Sequence, residues 1–178
     1  MKKTIDVYEH MGEVLKGVKS GVLITGKADD KVNSMTISWG MVGIEWGKPI
    51  FVTFIRENRF TRSLIEKTGE FTVSIPIDDS AKKILGFCGS KSGRDIDKAK
   101  EIGLTYEEPE MTSVPGVKEL PLTLECKVVY KQAQDMNAMT EENKVKFYPQ
   151  DVDSLFTGSN KDTHVAYYGE IVNTYVIE

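Results

Sequence analysis

Three arginines are clustered where a strand pattern gives way to a helical pattern. Arg56, Arg59 and Arg62 are spaced three residues apart, and the helical pattern runs from a predicted N-cap at Asn58 to Gly69. Cations are unfavourable at a helix N-terminus unless an anion joins them, because the helix dipole is already positive there. The free backbone N–H groups of the first turn suit a phosphate. The pattern therefore predicts an anion site; the alternative is that the arginines turn away to surface carboxylates.

The strand before these arginines, Val32–Gly40, alternates between a small hydroxyl-rich face and a large face that is apolar apart from Asn33. The hydroxyl-rich face could meet either solvent or a ligand. Trp39, on the large face, could stack on a ligand or fill the core. With the arginines, this strand suits an anionic, flat, aromatic ligand. The small face carries Val32, Ser34, Thr36, Ser38 and Gly40, and the large face carries Asn33, Met35, Ile37 and Trp39.

A compact polar loop, Gly89–Asp95, offers further donors in Ser90, Lys91 and Ser92. Its glycines allow the backbone to approach a ligand closely. The spacing matches neither the phosphate loop GxxxxGK[ST] nor the dinucleotide fingerprint GxGxxG. The residues alone leave ligand contact and an ordinary surface loop both open.

Histidine and cysteine are too sparse and too scattered for a metal site. The chain has two cysteines, Cys88 and Cys126, and two histidines, His10 and His164. Zinc sites take three or four such ligands at close spacing, so we predict no transition-metal site. We expect both cysteines to be reduced thiols. His164 could either serve a ligand or be satisfied within a pair of strands.

Composition limits the class of protein. The chain has 178 residues, 40% hydrophobic residues and a formal net charge of -4, which predicts a single domain over residues 1–178. The acidic balance argues against nucleic acid as a partner. No apolar run approaches the ~20 residues that cross a bilayer, and the N-terminus has no signal-peptide pattern. We therefore expect a cytoplasmic protein without a membrane partner.

The elements that must position these residues are mostly strands. The turn Lys27–Lys31 joins the first two strand runs. The apolar segment Met41–Lys48 is expected to pack against another surface, such as a second subunit. Residues 132–158 show no clear pattern apart from a helix near Thr140–Val145. About six strands in hairpins, with a few short covering helices, predict a mainly β, antiparallel barrel. The strand runs are Gly21–Gly26, Val32–Gly40, Pro49–Arg56, Glu70–Pro76, Leu122–Lys131 and His164–Ile177, the last broken at Gly169; the helical runs are Val7–Lys16, ended by Gly17, residues 59–69, residues 80–89 and Asp97–Gly103.

From about Tyr8 to Val176 the chain resembles the flavin reductase-like family, the FMN-binding split β-barrel proteins that include flavoredoxin and ferric reductase. The order and spacing of several motifs carry this resemblance together. These are NSMTISW from Asn33, WGKP from Trp46, Arg56-x-x-Arg59-x-Thr61, GEFTVS from Gly69, GSKSGRD-x-DK from Gly89, and His164-x-x-Tyr167-x-Gly169-Glu170.

The resemblance implies an antiparallel split β-barrel of the FMN-binding, Greek-key type, assembled as a homodimer. It implies FMN bound non-covalently at or near the subunit interface, with Arg62 a further candidate beside the phosphate. Lys91 and His164 are the candidates for a cation or N–H donor near the reduced flavin ring. The implied cofactor-binding residues are Asn33, Ser34, Met35, Thr36, Ser38, Trp39, Arg56, Arg59, Thr61, Ser90, Lys91 and His164.

The function that the resemblance implies is an FMN-binding oxidoreductase. Electrons would come from NAD(P)H as a transient donor, or from a redox partner protein, and would pass to flavin, ferric iron or another acceptor. The flavin performs this chemistry, so no catalytic side chain is assigned. The alternatives are a flavoredoxin-type electron carrier without its own substrate and a cofactor-free dimeric β-barrel interaction module.

Overall fold

The computed structural model describes residues 1–178 as an antiparallel β-structure with five helices and two short 3-10 turns, Asp79–Ala81 and Met136–Ala138. This confirms the predicted fold class. The strands are β1 Lys2–Thr4, β2 Val22–Ala28, β3 Lys31–Ile37, β4 Gly40–Glu45, β5 Lys48–Arg56, β6 Glu70–Ile75, β7 Tyr106–Glu107, β8 Gly116–Val117, β9 Leu122–Ala133 and β10 His164–Ile177. The helices are α1 Val7–Ser20, α2 Phe60–Thr68, α3 Lys82–Ser90, α4 Lys98–Ile102 and α5 Glu141–Phe147.

The main sheet has eight strands and curls around one core. Its order is β3-β2-β6-β9-β10-β5-β4, with β1 paired to the last residues of β10. Buried side chains from both ends of this order, including Ile24 of β2 and Phe51 of β5, belong to one cluster. The two end strands, β3 and β4, are joined only by Ser38 and Trp39. The barrel is therefore split beside these two residues.

Helix α1 continues past the predicted stop at Gly17 and ends at Ser20. Gly17 is buried, and a Cβ there would lie 2.4 Å from Ile75 Cγ2. The prediction was wrong because this glycine serves close packing of α1 on β6, while Gly21, with a φ of 112°, ends the helix.

The segment Met41–Lys48, predicted as a packed excursion, instead contains strand β4 and a two-residue turn into β5. Trp46 and Gly47 form the turn with φ angles of 52° and 69°. Two central residues with positive φ suit the right-handed twist of a β-hairpin. This strand, with the short ones, explains why the predicted count of six strands was too low.

The other predicted elements form close to their expected bounds, with two corrections. Arg59, not Asn58, holds the N-cap position of α2 and makes no side-chain capping bond. Gly169 does not interrupt β10, although the pairing of β10 with β9 shifts register just before it. A Cβ added at Gly169 would lie 2.5 Å from the Phe71 ring, so the glycine allows that ring to pack closely. No helix has the length and apolar character needed to cross a bilayer.

Candidate functional site

A cleft of about 520 Å³ lies at the split between β3 and β4. A volume of this size is within the usual range for small-molecule sites. Five segments line it: the end of β3 with Ser38 and Trp39, the end of β5 with the start of α2, residues 88–98, residues 154–159, and the first residue of β10.

Ten of the twelve predicted site residues line this cleft, while Ser34 and Ser90 do not. Ser34 is fully buried, with its Oγ 2.8 Å from Thr25 Oγ1. The Ser90 hydroxyl is engaged in its own helix, where it donates to the Phe87 carbonyl. The ten are Asn33, Met35, Thr36, Ser38, Trp39, Arg56, Arg59, Thr61, Lys91 and His164.

Asn33 joins three elements at one wall of the cleft. Its Nδ2 donates to Thr61 Oγ1 at 2.8 Å, which connects β3 to the first turn of α2. Gly93, in the polar loop, lies directly against the same amide group. The predicted anion site and the polar loop are therefore adjacent, through a residue buried between them.

Five cationic side chains line the cleft, against a single carboxylate, Asp95. No carboxylate oxygen lies within 4.0 Å of their charged nitrogens. The first turn of α2 contains no acidic residue either. Asp162 lies close enough to raise the pKa of Arg56 and Arg59 by its charge, but it forms no direct ion pair with either. The cleft is thus a concentration of positive charge without direct ion pairs in an acidic protein. The five are Arg56, Arg59, Lys91, Arg94 and Lys98.

Arg56 is a structural anchor as well as a cleft residue. Its guanidinium donates to the carbonyls of Asp162 at 2.5 Å and Phe147 at 2.9 Å, and lies 5.1 Å from the Tyr148 ring centroid. Burial lowers its pKa. Because carbonyl oxygens are neutral, these bonds orient the guanidinium without cancelling its charge.

Arg59 is held in the same way, and Arg62 is not. Arg59 Nη2 donates to the carbonyls of Thr157 at 2.9 Å and Phe156 at 3.2 Å. Arg62, the third arginine of the cluster, turns away from the cleft to Glu66 and to the Tyr167 hydroxyl. The alternative that the arginines point to surface carboxylates is therefore correct for Arg62 alone.

Lys98 is a buried cation beneath the cleft. Its Nζ donates to the carbonyls of Cys88 at 2.7 Å and Ser34 at 3.0 Å. Burial lowers its pKa from 10.5 to about 8, so the side chain is mostly charged at neutral pH. These bonds connect β3 to the end of α3 and place a charge where the two meet.

His164 and Trp39 form an aromatic wall. Their ring centroids are 4.9 Å apart, and Trp39 also packs edge-on against Phe147. Burial, followed by the charges of Arg56 and Arg59, lowers the pKa of His164 to about 3. A pKa this low makes the imidazole neutral at physiological pH, so of the two roles predicted for His164 it favours a neutral one over a cation. Trp39 is 37% exposed and does not fill the core.

The prediction missed several lining residues. Arg94 and Lys98 belong to the motif that begins at Gly89, and their charge was a usable signal. Segment 154–159, whose members Leu155 and Phe156 are largely exposed, had no periodicity that could have placed it. The lining residues that were not among the twelve assigned are Ile37, Phe54, Asn58, Phe60, Cys88, Gly89, Ser92, Gly93, Arg94, Asp95, Lys98, Ser154, Leu155, Thr157, Gly158 and Ser159, of which Gly89, Ser92, Gly93, Arg94 and Asp95 belong to the polar loop described above.

Comparison with known proteins agrees with this architecture. The flavin reductase like domain model matches residues 15–178. An uncharacterised protein of Archaeoglobus fulgidus is 32% identical over 120 residues, which are 67% of this chain and 66% of that protein. The match thus spans just under two thirds of that relative's length.

Two solved structures share the fold. The flavoredoxin of Methanosarcina acetivorans has a TM-score of 0.65 at 23% identity, covering 89% of this chain and 68% of that one. The FMN-binding domain of a flavin reductases-like enzyme from Shewanella baltica has a TM-score of 0.70 at 16% identity, covering 99% of this chain and 77% of that one. With the family model matching almost the whole chain, this protein belongs to the flavin reductase-like family.

Proposed function

We propose that this chain binds FMN non-covalently in the cleft at the barrel split and serves as a flavin-dependent oxidoreductase. The observation that carries the proposal is the group of five cleft cations without a carboxylate partner. Family membership supports a flavin as the ligand. A phosphate brings close to two negative charges and three acceptor oxygens, which are what this group of donors lacks.

The phosphate end of the ligand fits the start of α2. Arg59 precedes that helix, and Lys91 and Arg94 face it from the polar loop. The first-turn backbone N–H groups add donors that favour an anion. Arginine can bind a phosphate through two parallel hydrogen bonds, which fixes orientation as well as affinity. Arg56 and Lys98 complete this positive surface, and the hydroxyl of Thr61 adds a neutral donor.

The ring end of the ligand fits the aromatic wall of Trp39 and His164. Bound FMN supplies the hydride and electron chemistry. The protein's residues bind and orient it, and segment 154–159 lines one side of the cleft. No side-chain acid or base is assigned to the electron transfer.

The electron donor and acceptor separate two versions of this function. In the first, NAD(P)H reduces the flavin, and free flavin, ferric iron or another acceptor reoxidises it. In the second, the chain is a carrier that exchanges electrons with a partner protein, as a flavoredoxin-type protein would; a flavoredoxin and a flavin reductases-like enzyme both share its fold. Anaerobic mixing of the FMN-loaded protein with NADH and NADPH distinguishes them, since only the first version bleaches the flavin.

A homodimer is the proposed assembly. Strand β4 is an edge strand that exposes Met41 and Ile44, and Trp46 follows in the turn to β5; each of the three side chains is more than half exposed. The Trp46 ring lies 6.4 Å from that of Tyr130, so the apolar surface continues onto β9. The only charge on β4 is Glu45, at its end. An edge strand with so large an exposed apolar surface tends to be covered by another chain. In analytical sedimentation we expect the wild type to be a dimer and the Ile44→Lys variant to be a monomer. Leu15→Lys is the control: it changes an exposed apolar site on α1 and should leave the dimer unchanged. A monomeric wild type would contradict the proposed assembly.

FMN titration, followed by flavin fluorescence and absorbance, tests the binding proposal. We expect Lys91→Ala to weaken FMN affinity by roughly 10- to 100-fold, since a hydrogen bond to a charged group contributes about 1.5–3 kcal/mol. Lys67→Ala is the matched control, because Lys67 lies in the last turn of the same α2 and pairs with Asp29 outside the cleft. A colourless protein that does not bind added FMN contradicts the proposal and favours the cofactor-free interaction module.

A further inference from the structure

Gln134 fixes a hydrogen-bond chain that ends at the cleft. Its Oε1 lies 3.3 Å from the backbone nitrogen of His164 and 2.7 Å from the hydroxyl of Tyr148. A backbone N–H can only donate, so the amide must present its oxygen to His164. The orientation of the Gln134 amide is therefore set by the backbone at the start of β10.

This orientation determines the protonation of the neighbouring groups. Tyr148 has one hydroxyl proton, and it donates that proton to Gln134 Oε1. The Tyr148 oxygen, 2.9 Å from His164 Nδ1, must then accept, which requires the proton of the imidazole to be on Nδ1. A neutral imidazole with a proton on Nδ1 has only a lone pair on Nε2.

The geometry points to His164 as a hydrogen-bond acceptor in the cleft: we propose that its unprotonated Nε2 positions a ligand that donates an N–H or O–H at that point. Nε2 makes no hydrogen bond within the protein and is not sealed from solvent, and His164 lines the cleft beside Trp39. Gln134 and Tyr148 are positioning residues, since they act only through the tautomer. With FMN as the ligand, the proposal rests on the proposed function, and the flavin ring has an N–H to donate.

Two features keep this acceptor in one state. Burial and the nearby guanidinium groups of Arg56 and Arg59 oppose a second proton, in agreement with the lowered pKa of His164. The ring of Tyr148 is itself held against Arg56, so its hydroxyl cannot move freely away from Nδ1. His164 Nε2 is therefore a neutral acceptor that selects ligand groups with an N–H or O–H, whereas the other end of the cleft is cationic and selects anions.

Nitrogen-15 NMR of the imidazole groups tests the tautomer in the ligand-free protein. The chain has only two histidines, so His10→Gln leaves the signals of His164 alone. At pH 7 we expect Nδ1 to resonate as a protonated nitrogen and Nε2 as an unprotonated one. In Tyr148→Phe, which keeps the ring but removes the acceptor, the form with a proton on Nε2 should become populated. A protonated Nε2 in the wild-type chain, or an unchanged tautomer in Tyr148→Phe, overturns the proposal.

Addition of FMN to the same sample tests the contact. We expect the His164 Nε2 resonance to move upfield, as a nitrogen accepting a hydrogen bond does, without becoming protonated. FMN that binds and leaves Nε2 unmoved, or that binds and protonates it, overturns the positioning role. If FMN does not bind at all, the proposed function fails, while the ligand-free spectra still decide whether His164 is the acceptor described here.

Discussion

Gly93 approaches the side-chain amide of Asn33 so closely that a Cβ at Gly93 would lie 2.0 Å from Asn33 Oδ1. Asn33 cannot move away cheaply, because its Nδ2 is bonded to Thr61 at the start of α2. The contact therefore sets how near the polar loop lies to the helix N-terminus, and hence the width of the cleft between them.

Gly93→Ala should consequently damage the site. We expect FMN affinity to fall at least about tenfold, as the loss of a charge-assisted contact would produce, because Lys91 and Arg94 are displaced from α2. Gly86→Ala is the matched control: Gly86 lies in α3 with no atom within 4 Å of an added Cβ. Gly86→Ala should preserve FMN affinity and raise the free energy of unfolding by about 0.5–1 kcal/mol, as measured by thermal unfolding. Equal affinities in the two variants would refute the role of Gly93.

Lys98 should make FMN affinity pH-dependent. Its pKa of about 8 in the ligand-free protein means that it loses its charge between pH 7 and 9. A cation favours a bound phosphate, so affinity should decrease as pH rises through this window, approaching tenfold per unit above pH 8. Calorimetric titrations at several pH values measure this. Lys98→Met should bind FMN more weakly at pH 7 and show a flatter profile; the same slope in both proteins would exclude Lys98 as the titrating group.

His164 should contribute an acid-sensitive part of the stability. Its pKa is lowered to about 3 in the folded chain, from 6.5 as the ordinary value. Between those values the unfolded state binds more protons, so the stabilisation is present above pH 6.5 and is lost as pH falls towards 3. The free energy of unfolding of the wild type should drop relative to that of His164→Gln across this range, by at most about 5 kcal/mol. Urea unfolding at each pH gives the comparison, and parallel curves would contradict a neutral buried His164.

Both cysteines should be unreactive in the folded chain. Cys88 and Cys126 are buried, and burial raises the pKa of each thiol. The reactive species is the thiolate, which is scarce in such surroundings. A thiol-reactive chromogenic reagent should therefore modify neither residue in native protein and both after denaturation. Rapid modification of Cys88 in the native state would show that the cleft opens far more than its geometry indicates.

Strand periodicity predicted the cleft residues only in part, and the reason is the place of β3 in the sheet. Alternation assigns Ser34 to the same face as Thr36, yet Ser34 is buried against Thr25 whereas Thr36 lines the cleft. Since β3 is an edge strand, the cleft lies beside its edge and draws residues from both faces, including Asn33. The alternation of side chains along the sequence distinguishes the two faces of a strand, but it does not show which strand lies at the edge of the sheet.

The contacts made by residues 147–162 could not be predicted for a different reason. Arg56 and Arg59 are held there by carbonyl oxygens of the backbone. Every residue type offers such an oxygen, so no pattern of side chains reveals which ones a guanidinium will meet. In contrast, the turn at Asp29, with a φ of 53°, and the cap at Asp97 depend on side-chain identity, and both were predictable.

The central claim is that the cleft cations, which have no direct carboxylate partner, recognise the phosphate of a flavin mononucleotide. The most direct measurement compares the dissociation constants of FMN and riboflavin, which differ only in that phosphate, for the wild type and for the Arg59→Ala, Lys91→Ala and Arg94→Ala variants. We expect the wild type to bind FMN at least about 100-fold more tightly, as two charge-assisted hydrogen bonds would provide, and each variant to reduce that ratio. Equal affinity of the wild type for the two flavins would contradict the claim.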